Sequence, residues 1–263
     1  MEKKRYAVVV EYDGGAYSGW QFQPFFRNTI QEHVERALSQ IADHSVETVC
    51  AGRTDAGVHA YGQVIHFDTH AVRSTYAWLT GANRYLPEDI RLQTMVCVRN
   101  DFHARHDAQR RYYRYFIYNA PQPSAIFRRH CYWHRYPLDC DKMMRAGNFL
   151  LGEHDFSAFR SAECQAKTPF RFIESVQIKR EGAWVIVDIC GNAFLHHMVR
   201  NIVGSLLPVG DGRKPVFWLK EVLESGDRKK AGVTAPAAGL FLHSVRYPEA
   251  DKIPVPLVNN LKL

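Results

Sequence analysis

Two hydrophobic rhythms alternate along the chain. From Tyr6 to Tyr12 a valine-rich run stops at Asp13-Gly14-Gly15, which reads as a strand ended by a turn. Thr29-Ile30-Gln31-Glu32 has the form of a capping box. Behind it Ile30, Val34, Ala37, Leu38 and Ile41 recur at helical spacing, predicting an amphipathic helix over 29–42. Val46 to Cys50 reads as a short strand, 52–60 as a loop with two glycines, and Gln63 to Asp68 as an alternating strand. A helix over 74–85 stops before Pro87, and Ile90 to Val98 is again a strand.

The same kinds of element follow in the second half. Arg110 to Asn119 is a long strand, with Tyr113, Tyr115 and Ile117 on one face and Tyr112, Arg114, Phe116 and Tyr118 on the other. A short strand is expected over 131–135, and a helix over 139–151 closed by Gly152. Strands over 176–180 and 183–190 flank Glu181-Gly182 as a hairpin. Helices over 196–207 and 215–225 and a strand over 240–247 complete the pattern. Hairpins mixed with helices argue for α+β rather than a doubly wound sheet. The expected organisation is an N-terminal half over 1–106, a C-terminal half over 107–247 and an extended tail over 248–263. The two similar halves would join into one broad, mostly antiparallel sheet with helices on one side and a cleft between them.

Composition narrows the class. Hydrophobic residues at 46% and charged residues at 23% suit a folded chain rather than a disordered one. No apolar run approaches the roughly 20 residues of a membrane span. The basic start at Met1-Glu2-Lys3-Lys4-Arg5 has no apolar stretch behind it, so a cytoplasmic protein is expected. Six cysteines without a Cys-x-x-Cys pair suggest free thiols and argue against zinc. The net charge is +7 and unevenly spread. Residues 99–135 hold eight arginines against Asp101 and Asp107, among nine aromatic rings. Guanidinium groups bind phosphate and flat rings stack on unpaired bases, so this mixture suits RNA. A solvated basic strand beside an aromatic core is the plainer alternative.

Familiar catalytic patterns are missing: no phosphate-binding Gly-Lys-Ser/Thr loop and no Gly-x-Ser-x-Gly elbow occur. His103/His106 and His130/His134 fall on an expected loop and strand, where their spacing does not converge on a metal. Ala51-Gly52-Arg53-Thr54-Asp55-Ala56-Gly57-Val58-His59-Ala60 stands apart. It puts one acid between two glycines directly after a strand, with Arg53 two residues before Asp55. A turn in which Asp55 caps a local amide is the alternative reading.

This segment resembles the signature of the tRNA pseudouridine synthase A family. So do Glu11-Tyr12-Asp13-Gly14 with Gly19-Trp20-Gln21, Asp101-Phe102-His103-Ala104-Arg105, Arg111 to Tyr115, His196 to Gly204, and Gly239-Leu240-Phe241-Leu242. The resemblance runs in order from about residue 5 to 247. It implies an isomerase that makes pseudouridine at positions 38, 39 and 40 of the tRNA anticodon stem-loop, with no cofactor and no metal. It implies a homodimer in which one tRNA contacts both protomers. It places the catalytic aspartate at Asp55, as nucleophile or base, its ion-pair partner at Arg200, and the base-stacking, proton-transferring tyrosine at Tyr113. Arg53 would fill the gap left by an extruded base or hold its phosphate, and Arg105, Arg110, Arg111 and Arg114 would bind substrate. Two rivals remain: an RNA-binding protein without catalysis, which would not need Asp55 beside Arg53, and a metal-dependent hydrolase built on the histidines.

Overall fold

The computed structural model describes residues 3–23 and 28–254. In chain order the elements are β1 (Lys4–Tyr12), α1 (Ile30–Ala42), β2 (Thr48–Cys50), β3 (His59–Thr69), α2 (Thr75–Tyr85), β4 (Ile90–Val98), β5 (Arg110–Asn119), β6 (Tyr132–His134), α3 (Cys140–Gly147), β7 (Gly152–Asp155), β8 (Phe170–Glu181), β9 (Trp184–Gly191), α4 (Met198–Gly210), α5 (Trp218–Ser225) and β10 (Leu240–Arg246). The fold is α+β, and most strand pairs are antiparallel. The chain forms two compact units, residues 1–110 with 241–263, and residues 111–240.

In the first unit β1 lies between β4 and β3, antiparallel to both. Val8 and Val10 are fully buried and Val9 nearly so, as expected of a central strand covered on both faces. The other edge of β3 is shared. β2 pairs with residues 65–67, and β10 runs parallel beside His59 and Ala60. The last strand, which the pattern alone groups with the second half, is thus hydrogen-bonded into the first unit. Phe241 stacks on His59 and Tyr61 there, at 4.6 and 4.9 Å between ring centroids. α1 begins where its capping box puts it, with the Thr29 hydroxyl accepting the Glu32 N–H. Ser74 caps α2 in the same way.

In the second unit β5, β9, β8 and β7 form an antiparallel ladder, and β6 pairs parallel with residues 117–119 of β5. Strand alternation on β5 is as expected, with Tyr113, Tyr115 and Ile117 all buried. α3 packs on α4 and β8.

Several boundaries differ from the sequence pattern for identifiable reasons. The expected helix over 139–151 ends at Gly147 and continues as a single 3-10 turn to Leu150. Gly152 opens β7, a strand too short to show a period. His197 sits at φ +62°, so α4 starts at Met198 rather than 196. It runs through Pro208 to Gly210, since proline near a helix end forfeits only one backbone bond. β3 begins four residues early and β8 six, because partner strands, not side-chain alternation, set how far a ladder runs. The tail is not simply extended: Glu249–Asp251 form a 3-10 turn, and Asp251 is buried and bonded to Arg99 at 3.0 Å. The rest of the expected extended tail, 255–263, lies outside the described residues.

Candidate active site

Asp55 lies in the connection from β2 to β3, and the backbone around it is pinned from several sides. The Thr54 carbonyl accepts the Trp20 N–H at 3.0 Å. The Thr54 hydroxyl pairs with the Tyr12 hydroxyl at 2.8 Å, with both residues buried. The Asp55 carbonyl accepts the Val58 N–H at 3.1 Å, closing a tight turn whose third residue, Gly57, has φ +77°. Gln63 Nε2 donates to the Gly52 carbonyl at 2.6 Å. Gly19, at φ +94°, lets the preceding turn press against this loop: a Cβ there would lie 2.7 Å from the Thr54 oxygen. Thr54 is therefore an internal peg, while Arg53 on one side is exposed and Asp55 on the other half-buried. The loop holds a carboxylate at a fixed place on the surface of the unit, as a group that must meet a substrate requires.

The same unit carries two more of the expected arginines. Arg105 is exposed on the loop between β4 and β5. Burial pushes the Cys50 thiol up to about 11, and the positive charges of Arg53 and Arg105 oppose that rise. Arg110 opens β5 and donates to the Gln109 carbonyl at 2.9 Å.

In the second unit Tyr113 lies opposite Ile189 and meets Phe194 edge-on at 5.1 Å. Its neighbours on β5 are engaged within the protein. Arg111 is buried and donates to the Asn192 carbonyl at 2.6 Å. Arg114 makes a two-pronged ion pair with Asp188 across the β5–β9 ladder, at 2.7 and 3.0 Å. Arg111, on the Tyr113 face of β5, ties the strand to the residue after β9, and Arg114, on the opposite face, ties it to β9 itself. Arg200 stands in the first turn of α4, and Nε donates to the Ala235 carbonyl at 2.8 Å while its own carbonyl accepts the Ala235 N–H. Its charge also reaches Tyr115, whose buried hydroxyl, bonded to the Pro236 carbonyl, is pushed well above its ordinary pKa mainly by burial. The 234–236 strap and α4 thus fix the Arg200 head group together.

The supports of the Asp55 loop come from segments the sequence had flagged only by resemblance, Tyr12 from Glu11-Tyr12-Asp13-Gly14 and Gly19 with Trp20 from the next motif. Their purpose is visible only in three dimensions.

With this geometry in place, comparison with known proteins is direct. The sequence profile of a family described as tRNA pseudouridine synthase matches residues 8–107 and 146–248. The chain belongs to that family. It is an enzyme of the class that isomerises uridine to pseudouridine in tRNA. Among its relatives, tRNA pseudouridine synthase A of Glaesserella parasuis is 52% identical over 248 residues, 94% of each chain. The protein of that name from Tolumonas auensis is 51% identical over 252 residues, 96% of each chain. The one from Alcanivorax borkumensis is 48% identical over 250 residues, covering 95% of this chain and 94% of its own.

Proposed function

We propose that this chain isomerises uridines 38, 39 and 40 of the tRNA anticodon stem-loop, with Asp55 as the catalytic residue. The observation that carries the assignment is the pinned loop, in which buried Thr54 is fixed by Tyr12 and Trp20 and the next side chain is a half-buried carboxylate.

The reaction breaks the bond from ribose C1′ to uracil N1, turns the base and joins C1′ to C5. C5 loses its hydrogen and N1 gains one, so nothing is oxidised and no group is added. Asp55 attacks the sugar or removes a ribose proton; either role uses the ionised carboxylate. Arg200 acts as its counter-charge, and a cation beside a covered carboxylate keeps it ionised. Tyr113 stacks on the target uracil, a contact worth about 1–3 kcal/mol, and its hydroxyl serves proton transfer at C5. Arg53, Arg105 and Arg110 hold the RNA. Arg111 and Arg114 contact the RNA as well, from a strand they also brace. The working form is a cytoplasmic homodimer with one tRNA contacting both protomers, needing no cofactor.

The test is chemical mapping of pseudouridine in tRNA treated with the purified protein. Wild type should modify positions 38–40. Asp55→Asn should abolish turnover and leave tRNA affinity within a few-fold, because binding rests on many phosphate contacts. Residual activity above about a tenth of wild type would move the catalytic role to another residue.

A further inference from the structure

The loop between β4 and β5 is irregular, yet every backbone N–H from Phe102 to Asp107 is bonded, and two neutral imidazoles accept half of them. His66, on β3 and 5% exposed, accepts the Ala104 N–H at Nδ1, at 3.1 Å. Nδ1 of His103 accepts two further amides, from Arg105 at 3.2 Å and His106 at 3.3 Å. The His103 N–H donates to the Asp107 carboxylate at 2.9 Å, and the Asp107 N–H returns to the His103 carbonyl at 3.0 Å. The carbonyls are held as well. Phe102 accepts from the Arg5 guanidinium at 2.7 Å and Ala104 from the Tyr247 hydroxyl. Phe102 and Ala104 are fully buried anchors, while Arg105 and His106 between them and Asp107 are exposed.

We propose that His66 and His103 are positioning residues for RNA binding: as neutral Nδ1 acceptors they wind residues 102–107 into a rigid mount that presents Arg105, with His106 beside it, to a substrate phosphate. The inference rests on the RNA contact assigned to Arg105 above and adds the residues that make it specific in direction. An arginine on a mobile loop loses conformational freedom when it binds, and one on a fixed loop has lost most of it beforehand.

The chemistry of the ring nitrogens supports the assignment. A nitrogen that accepts an amide hydrogen carries no proton, so in both rings the proton sits on Nε2. Burial, with the positive charge of Arg5 and of His103 opposing protonation and Asp68 and Asp107 favouring it, pushes His66 down to about 4. His103 is also lowered, by burial first and by His106 and Arg5, against the pull of Asp107. The acceptor forms therefore persist near neutrality.

The experiment compares KM and kcat for tRNA among His66→Ala, His66→Asn, His103→Asn, Arg105→Ala and the double variant His66→Ala/Arg105→Ala. The Asn side-chain oxygen stands close to where Nδ1 accepts, so it preserves the mount. Arg105→Ala should raise KM about ten-fold, the cost of losing one charge-assisted phosphate contact of about 1.4 kcal/mol. His66→Ala should raise KM several-fold, and His66→Asn and His103→Asn should stay within about two-fold of wild type. The double variant should be no worse than Arg105→Ala alone, since a mount without its arginine has nothing left to present. Full additivity in the double variant would make His66 merely structural and overturn the proposal. So would an unchanged KM in Arg105→Ala, whereas a failure of the catalytic assignment would show separately, as turnover surviving in Asp55→Asn. If His66→Ala does not fold, His103→Ala combined with Arg105→Ala gives the same comparison.

Discussion

Removing the Tyr12 hydroxyl should loosen the Asp55 loop without touching any group proposed above to meet the substrate. Tyr12 is 3% exposed and Thr54 7%, and their hydroxyls are 2.8 Å apart. In Tyr12→Phe the Thr54 hydroxyl stays buried and loses this partner, at a cost of about 1–3 kcal/mol. At about 2–4 °C per kcal/mol for a chain of this size, Tm should fall by roughly 2–12 °C. Thr54 immediately precedes Asp55, so relaxation moves the carboxylate. A displacement near 1 Å can cost on the order of 100-fold in rate, and a 10- to 100-fold loss in single-turnover pseudouridine formation is expected, with KM little changed. Tyr12→Phe/Thr54→Val also removes the Thr54 hydroxyl that Tyr12→Phe strands, so its Tm should recover above that of Tyr12→Phe. Turnover should not recover, because the peg is still gone. If Tyr12→Phe kept wild-type turnover and lost less than about 1 °C, the hydroxyl pair would not be what holds Asp55, and the loop's placement would rest on its backbone bonds alone.

Gly19→Ala should also depress turnover, since its positive φ and the 2.7 Å approach of a Cβ to the Thr54 oxygen force the loop aside; differential scanning calorimetry and the same rate assay read both effects. Arg200→Ala should cut turnover with circular dichroism unchanged, because alanine suits a helix and the backbone bond from Ala235 N–H to the residue-200 carbonyl does not depend on the side chain. Activity on a short stem-loop should survive thorough chelation with EDTA, and a loss restored by zinc would favour a metal-dependent reaction. Stability should carry an acid signature from Asp68, whose carboxyl the Arg5 guanidinium at 2.7 Å, with Lys3 beside it, holds well below the usual range. A depressed carboxyl stabilises the fold above its unfolded pKa of about 4, and the contribution drains away as pH falls below that value. Tm of the wild type should therefore drop more steeply between about pH 5 and pH 2 than that of Asp68→Asn.

Local rhythm was enough to place β4 and β5 to the residue and to start α1 at its cap, because each is long, periodic and ended by strong turn or cap residues. The loop around Asp55 stood out through its glycines, and the role assigned to Asp55 came from the resemblance. What the sequence could not display is what crosses it at long range. Tyr12 meets Thr54 42 positions on, Ala104 meets His66 38 positions back, and Arg114 finds Asp188 74 positions away. That Arg111 and Arg114 also bond within the protein could not be read from composition, because an arginine on a strand looks the same whether it faces solvent or an ion-pair partner. The short strand β7 and the return of β10 to β3 leave no periodic trace, since both are defined by the edge they find.

That return of β10 gives the enzyme a clock during synthesis. The edge of β3 at His59 and Ala60, a few residues past Asp55, pairs with Phe241 and Leu242. About 180 residues must be made between one partner and the other, which at about 5–20 residues per second takes on the order of 10 to 40 seconds. Through that interval the nascent first unit carries an open strand edge next to the Asp55 loop, the kind of edge that invites wrong pairing. A chain that stops before β10 keeps the 51–60 motif but lacks the strand that pairs with β3 at His59 and Ala60.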